Sequence, residues 1–369
     1  MSTLTVSLFS LDRDIQIDET PLVIPQATSI IDLNELANSL TSQPQTFDFY
    51  INDLLVSLNL TNFLNLNNIS IEQTVKIACA PSPIPPVLKN QQDIPDWGSS
   101  LSISDTSIYV TSYDGSVQIF DKTLKPLQSI QLSKQPLTCS VFNKFHFSAG
   151  YDGTINVLDG EKIQKFKSAS QTPIVSMNTF KDGIFAFDEA SDVYLLDLQI
   201  VENQQIQPAF SLAQHNPTKA FEFQGNLALS CSNSVKFYDI IQNQIVSSIP
   251  GPEVSCFAYD ENIAKCGSFD RAIRVYDLRA GNQVQRTFLG HKSHVVKLTQ
   301  RGKGHFFSTD ISGVSYLWDE RCSRPYHSIE CYDREMDKKN DQGRVLDAIC
   351  DDHDLYMVGS ARKIFQYGI

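Results

Sequence analysis

The feature that most constrains this chain is an internal repeat in residues 98–369. Seven segments share one pattern: small or turn residues, an alternating apolar stretch, then an aromatic or aliphatic residue before Asp. They read SYDGSVQIFD (112–121), GYDGTINVLD (150–159), EASDVYLLDL (189–198), CSNSVKFYDI (231–240), SFDRAIRVYD (268–277), DISGVSYLWD (310–319) and GSARKIFQYG (359–368). The closing Asp falls at 121, 159, 197, 239, 277 and 319, and Tyr367 holds its place in the last copy; the intervals are 38, 38, 42, 38, 42 and 48 residues. That period is the one expected of four-stranded propeller blades. Alternation such as Val117 with Ile119, or Val235 with Phe237, marks strands half-buried between neighbouring blades. Asp-Gly in the first two copies supplies a tight turn before the strand. One blade cannot bury both of its faces, so the ring must close. The expected fold is mainly β, a seven-bladed propeller over 98–369. The last copy is followed by too little chain for an outer strand, which would leave a bare sheet edge. Residues just ahead of the first blade are expected to fill it. The charged run ECYDREMDKKNDQGR (330–344) reads as an exposed loop.

Residues 1–80 have another rhythm. LTVSLFSL (4–11) and IQIDETPLVIP (15–25) read as a hairpin, and SIIDLNELANSL (29–40) as a helix capped by Ser29. FDFYI (47–51), LLVSL (54–58) and TVKIACA (74–80) read as strands, with a helical turn over LTNFLNL (60–66). Periodicity alone supports a small α+β domain; the order ββαββ with a late strand is that of a ubiquitin-like fold. Residues 81–97 hold five of the sixteen prolines and read as a semi-rigid linker.

Charge narrows the partners. Nine acids and two bases fall in residues 1–82, a net of −7 out of −12 for the chain. Strong direct nucleic-acid binding is therefore not expected of the N-terminal domain. The eight cysteines form no CxxC pair and sit mostly in apolar runs, as reduced buried thiols do. The opening MSTLTVSLFSLDRD does not read as a signal peptide, and no apolar stretch has the length of a membrane span. The seven histidines are scattered and no nucleophile–base pair, phosphate loop or metal cluster stands out, so an enzyme is not expected.

The repeats resemble those of the WD-repeat family. The fullest match is the sixth copy: Gly290-His291, Ser308 and Trp318-Asp319. In that family a His, a Ser or Thr, an Asp and the Trp hydrogen-bond together and lock the blade. Ser312 stands at the Asp position, so the network is incomplete unless Asp310 substitutes. Asp114, Asp152 and Asp270 hold the turn Asp elsewhere, while Phe120, Leu158 and Tyr276 replace the Trp.

The layout of a domain containing FDFYINDLLVSL, a Pro-rich linker and DWGSSL before the first blade resembles the Notchless-type family of ubiquitin-like domains fused to propellers. Two kinds of relative share it. One is Notchless itself, usually with eight blades. The other is the seven-bladed subunit of the complex with pescadillo and the block-of-proliferation protein, which the count of seven favours. The resemblance implies a non-enzymatic assembly factor for the large (60S) ribosomal subunit, in nucleolus and nucleoplasm. It implies as partners pescadillo, the block-of-proliferation propeller, the pre-60S particle and midasin, a giant AAA ATPase. In both kinds of relative one Glu, in a loop before the last strand of the ubiquitin-like domain, completes the coordination of a Mg²⁺ held by midasin. Here NNISIEQTVKI (67–77) matches that loop, and its Glu is Glu72. No cofactor of the chain's own is implied. Without the family, a lone Glu before a strand reads as a solvated side chain. The competing reading is a substrate receptor of a cullin ubiquitin ligase, through the WD-x-R-like boxes Tyr276–Arg279 and Trp318–Arg321. A Notchless-like midasin adaptor is the other alternative.

Overall fold

The computed structural model describes the chain except residues 1–2, 12–14, 53, 57–58, 84, 161, 197–204, 281–282, 302–303, 321–324 and 332–342. It divides into two compact units, Met1–Pro85 in one and Pro86–Trp318 with Ser323–Ile369 in the other.

The first unit is a five-stranded sheet carrying two helices. Strands β1 (Thr3–Ser10), β2 (Leu22–Pro25), β3 (Phe47–Ile51), β4 (Leu54–Leu55) and β5 (Val75–Pro81) lie in the order β2-β1-β5-β3-β4. β1 and β5 are parallel, and the other pairs are antiparallel. This is the ubiquitin-like arrangement. Helix α1 (Ile30–Ser39) opens with a capping box, in which Ser29 and Asp32 satisfy each other's backbone N–H groups. It buries Leu33 and Ala37 against Val6, Leu8, Phe49 and Ile77. The expected second strand is shorter than its pattern: only Leu22–Pro25 pairs, and Ile17 makes an isolated bridge to Thr41.

The second unit is a propeller of seven sheets. Blade one runs from its inner strand Gly98–Ile103 through Ser107–Ser112 and Ser116–Asp121 to the outer Pro126–Gln131. The inner strands of the next six begin at Leu137, Ile174, Lys219, Val254, Val295 and Val345. Blade two gains a fifth strand, Gln205–Ile206, parallel to its outer edge. In the seventh blade the outer strand is β6 (Val87–Asp93), paired antiparallel with Lys363–Gly368. The residues ahead of the first blade thus close the ring. This corrects the linker 81–97: its middle is a strand, and Pro81 still belongs to β5. Residues 332–342 of the expected loop 330–344 lie outside the described residues; Glu330 ends the strand His327–Glu330.

The ring also closes bond by bond around its centre. Thr138 Oγ1 donates to Ile174 O (2.9 Å), Ser176 Oγ to Ala220 O (2.9 Å), Lys219 Nζ to Ser255 O (3.0 Å) and Ser255 Oγ to Val295 O. Lys297 pairs with Asp347 at 2.8 Å. Asp347 accepts from Ser100 Oγ (3.0 Å) and the Leu101 N–H (2.9 Å), and Ser100 Oγ accepts the Ser140 N–H (3.2 Å). Each inner strand is therefore tied to the next. Six of the seven begin with a register shift. A bulge re-aims the side chain beside it, and Ser100, Ser176, Lys297 and Asp347 each stand directly after one.

Burial keeps the thiols neutral. Six of the seven described cysteines are buried, all seven are free, and Cys139 and Cys256 are pushed up to about 12. Cys322 lies outside the described residues. Among the described residues no helix is long and apolar enough to cross a membrane.

Candidate functional site

Glu72 sits between two anchors. Helix α2 (Leu60–Leu66) is capped by Asn59 and ends at Asn67. Ile69 then donates its N–H to Leu64 O and packs on the domain core. Val75 re-enters the core as the first residue of β5. Glu72 and its neighbours Ile71, Gln73 and Thr74 are exposed. The Glu72 N–H donates to Ser70 Oγ at 3.3 Å, and the carboxylate makes no hydrogen bond or ion pair with any described residue. Because β5 lies between β1 and β3 in the sheet, the loop's exit is held on both sides. Such a carboxylate can give one hard oxygen ligand to a divalent cation that other groups hold. Among the described residues no group of three His, Cys, Asp or Glu side chains could hold a metal ion.

The blade residues form a separate, structural network in blade six. Trp318 Nε1–H donates to Ser308 Oγ (2.6 Å), which lies 2.5 Å from His291 Nε2. His291 Nδ1 lies 3.0 Å from the Asp310 carboxylate. Indole can only donate, so the Ser308 hydroxyl is free to donate to Nε2, leaving the proton on Nδ1 for Asp310. All four residues are buried. Asp310 therefore takes the place of the missing Asp, and Ser312, at the family's Asp position, donates to it (2.6 Å). Burial pushes the Asp310 carboxyl up, but bonds from His291, Ser312 and Val314 outweigh it and hold it below the ordinary value.

Asp114, Asp152 and Asp270 join no such network. Asp114 accepts from Ser116, and Asp152 from the Thr154 N–H and Ser133 Oγ. Asp270 accepts from Ala272 N–H and pairs with Arg274. Each fixes its own turn, and Gly115 shows why a glycine follows: its φ is +82°, and a Cβ there would lie 2.2 Å from Ser133 O. The sequence reading missed a second cluster. In blade three, buried Asp188 accepts from Ser170, Thr172, the Asp192 N–H and Tyr194. Its signal was an Asp closing an apolar strand, as Asp310 does. In the first WD-x-R-like box, Arg279 is bound back to Asp277 and 68% exposed, a local ion pair worth little. Arg321 of the second lies outside the described residues.

Ser308→Ala strands both the Trp318 N–H and His291 Nε2 in a dry site. The expected cost is about 2–4 kcal/mol, read as a lower urea midpoint with unchanged slope. Asp310 adds a pH dependence. Its folded carboxyl titrates below the ordinary 3.8, so its stabilisation is present above that value and is lost as pH falls through the folded one. In Asp310→Asn this acid-side loss shrinks, checked by melts between pH 7 and 2.

A propeller of WD-repeat type behind a ubiquitin-like unit is the class these features define. Residues 4–64 match the family model "NLE (NUC135) domain"; Glu72 lies just beyond the match. Along most of its length the chain has ribosome biogenesis proteins as homologues. It is 22% identical to YTM1 of Kluyveromyces lactis, over 89% of this chain and 88% of that one. It is 22% identical to ytm1 of Schizosaccharomyces pombe, over 85% and 84%. A WDR12 homolog of Chlamydomonas reinhardtii is 27% identical over 36% of this chain and 33% of its own. Among solved structures, the WD40 β-propeller domain of Doa1 superposes with a TM-score of 0.65 at 15% identity, covering 77% of this chain and 96% of that one, and bears on the fold alone.

Proposed function

We propose that this protein is a non-enzymatic assembly factor of the large ribosomal subunit, with the propeller as scaffold and the ubiquitin-like unit as a handle. The assembly role is supported by relatives named as ribosome biogenesis proteins across most of the chain. The handle is supported by one observation: Glu72, the sole acid between Asp53 and Asp93, holds its carboxylate without a partner among the described residues, on an exposed loop with both ends fixed in a core. In this reading the propeller docks on pre-60S particles with pescadillo and a block-of-proliferation-type propeller protein, in nucleolus and nucleoplasm. The Glu72 carboxylate completes a Mg²⁺ site carried by midasin, and force from ATP hydrolysis there strips the complex from the particle. The chain's own part is to present one oxygen ligand on a stiff loop and to transmit tension through β5.

Affinity purification of the tagged full chain, with mass spectrometry and analysis of co-purifying RNA, tests the reading. Pre-60S proteins, pescadillo and 27S-type precursor RNA are expected. Recovery of a cullin adaptor without pre-60S proteins overturns it, and recovery without pescadillo selects the Notchless-like alternative.

A further inference from the structure

Although the propeller carries a net negative charge, one groove on it is basic. It opens between blades one and two, encloses about 440 Å³, and is lined by Lys134, Lys165 and Lys167 with Asp152 as its acid. Lys165 and Lys167 project from the outer strand Lys162–Ser168 of blade two, and Lys134 from the segment joining the two blades. All three are exposed. The Asp152 carboxylate is engaged by Ser133 Oγ at 2.7 Å and the Thr154 N–H at 2.9 Å. Among the described residues none of the three lysines makes an ion pair; Lys165 Nζ donates to the Leu132 carbonyl. Three cations thus converge on a groove whose one acid is already occupied.

Two tyrosines adjoin, in the chain, residues that form or touch its wall. The Tyr113–Gly115 turn of blade one abuts the groove wall, since Gly115 O accepts from Leu132 and Ser133 N–H groups and Asp114 O from Gln131. On the other side Tyr151, 48% exposed, precedes Asp152. We propose that this groove binds the sugar–phosphate backbone of single-stranded RNA, with Lys134, Lys165 and Lys167 on phosphates and Tyr151 offering a ring for a base. Lys165 and Lys167 are two residues apart on one strand face, about 7 Å, a spacing suited to consecutive phosphates. Lysine is a point charge that follows a backbone, whereas planar, two-pronged recognition of carboxylates favours arginine, and the groove has none. A neighbouring aromatic face suits a base of any identity. These features favour RNA over an acidic peptide, and the site is independent of the Glu72 reading.

The test is fluorescence anisotropy with the purified full chain and a fluorescein-labelled mixed-sequence 12-nucleotide RNA across a salt series. Lys134→Gln/Lys165→Gln/Lys167→Gln is expected to weaken binding at least tenfold at low salt. It should also flatten the log–log salt slope by about 2, at roughly 0.7 per phosphate on a single strand. Lys134→Gln/Lys167→Gln, which spares the Lys165 bond to Leu132, should flatten it by about 1.4. Removing three lysines elsewhere (Lys125, Lys181 and Lys292 to Gln) should leave binding within twofold. Equal binding by wild type and both groove variants overturns the proposal. So does displacement of the RNA by a deca-glutamate peptide at equal concentration, which would make the groove a protein dock.

Discussion

Replacing Asn90 and Gln91 together by proline lowers the melting temperature of the propeller by about 10 °C or prevents its folding. Both residues lie in β6, the strand that completes the seventh sheet from outside the repeat. Adjacent strand residues direct their N–H groups to opposite sides, so a proline pair removes a ladder donor whichever position supplies it. The loss is not confined to one bond. Lys89 reaches Asp354 at 2.5 Å, Asn90 Nδ2 donates to Gln366 (3.2 Å), and the Ile94 N–H donates to Arg362 O (2.9 Å). If β6 peels away, Lys363–Gly368 becomes a bare edge carrying Phe365 and Tyr367, both buried in the native blade. A cost of about 3–4 kcal/mol converts to roughly 10 °C in a unit of this size. Gln91→Ala, which keeps the backbone donor, serves as control and should melt within about 2 °C of wild type. Trp318, fully buried in blade six, reports propeller melting by fluorescence. An unchanged transition in the proline variant means the ring does not depend on this closure.

What the sequence made legible follows from where chemistry repeats. The seven copies were countable because each blade needs the same apolar alternation and the same tight turn. That turn persists in three of the four copies that lack glycine: Ser191, Arg271 and Arg362 adopt positive φ at the place of Gly115 and Gly153, while Asn233 in blade four does not. The α1 cap and the Glu72 loop could be placed because both depend on neighbours in the chain. The bare edge of the last blade called for a strand from ahead of the first blade, but the bounds of β6 inside the expected linker were not readable, because Val87–Asp93 are almost all exposed and show no alternation. An outer strand buries little, and ladder bonds with a few edge side-chain contacts hold it. The central ring was invisible for a different reason. Its joints are Ser100, Thr138, Ser176, Lys219, Ser255, Lys297 and Asp347, residue types with no common pattern. Each solves the same inter-strand geometry with different chemistry, and only the fold brings them together. The Asp310 substitution lies between these cases. Its carboxylate reaches His291 from the strand end two residues before the family position, a shift that a side chain can span but a motif does not record.

On the proposed handle mechanism, Glu72→Ala is expected to abolish Mg²⁺-dependent binding to the Mg²⁺-holding domain of midasin while leaving the melting temperature unchanged. The second half follows from exposure. The Glu72 carboxylate makes no hydrogen bond or ion pair with any described residue, its loop is anchored by Ile69 and Val75, and surface changes of this kind stay within about 0.5 kcal/mol. The first half follows from coordination chemistry. A hard cation held by a partner keeps a site for one further oxygen, and alanine offers none. Removing one member of a buried, desolvated charge pair at an interface costs about 2–5 kcal/mol, or roughly thirtyfold to several thousandfold in affinity. Three comparisons separate the metal bond from general electrostatics. Glu72→Gln keeps the shape and loses the anionic ligand, so it should bind as weakly as alanine. Chelation by EDTA should bring wild type down to the level of either variant and leave the variants where they are. Asp32→Ala on α1 removes an exposed acid from the same unit but not from the loop, and should retain full metal dependence once its lost helix cap is allowed for by a melt. Wild-type, Mg²⁺-dependent affinity in Glu72→Ala, measured by calorimetry or surface plasmon resonance, would remove Glu72 from the interface and the handle mechanism with it.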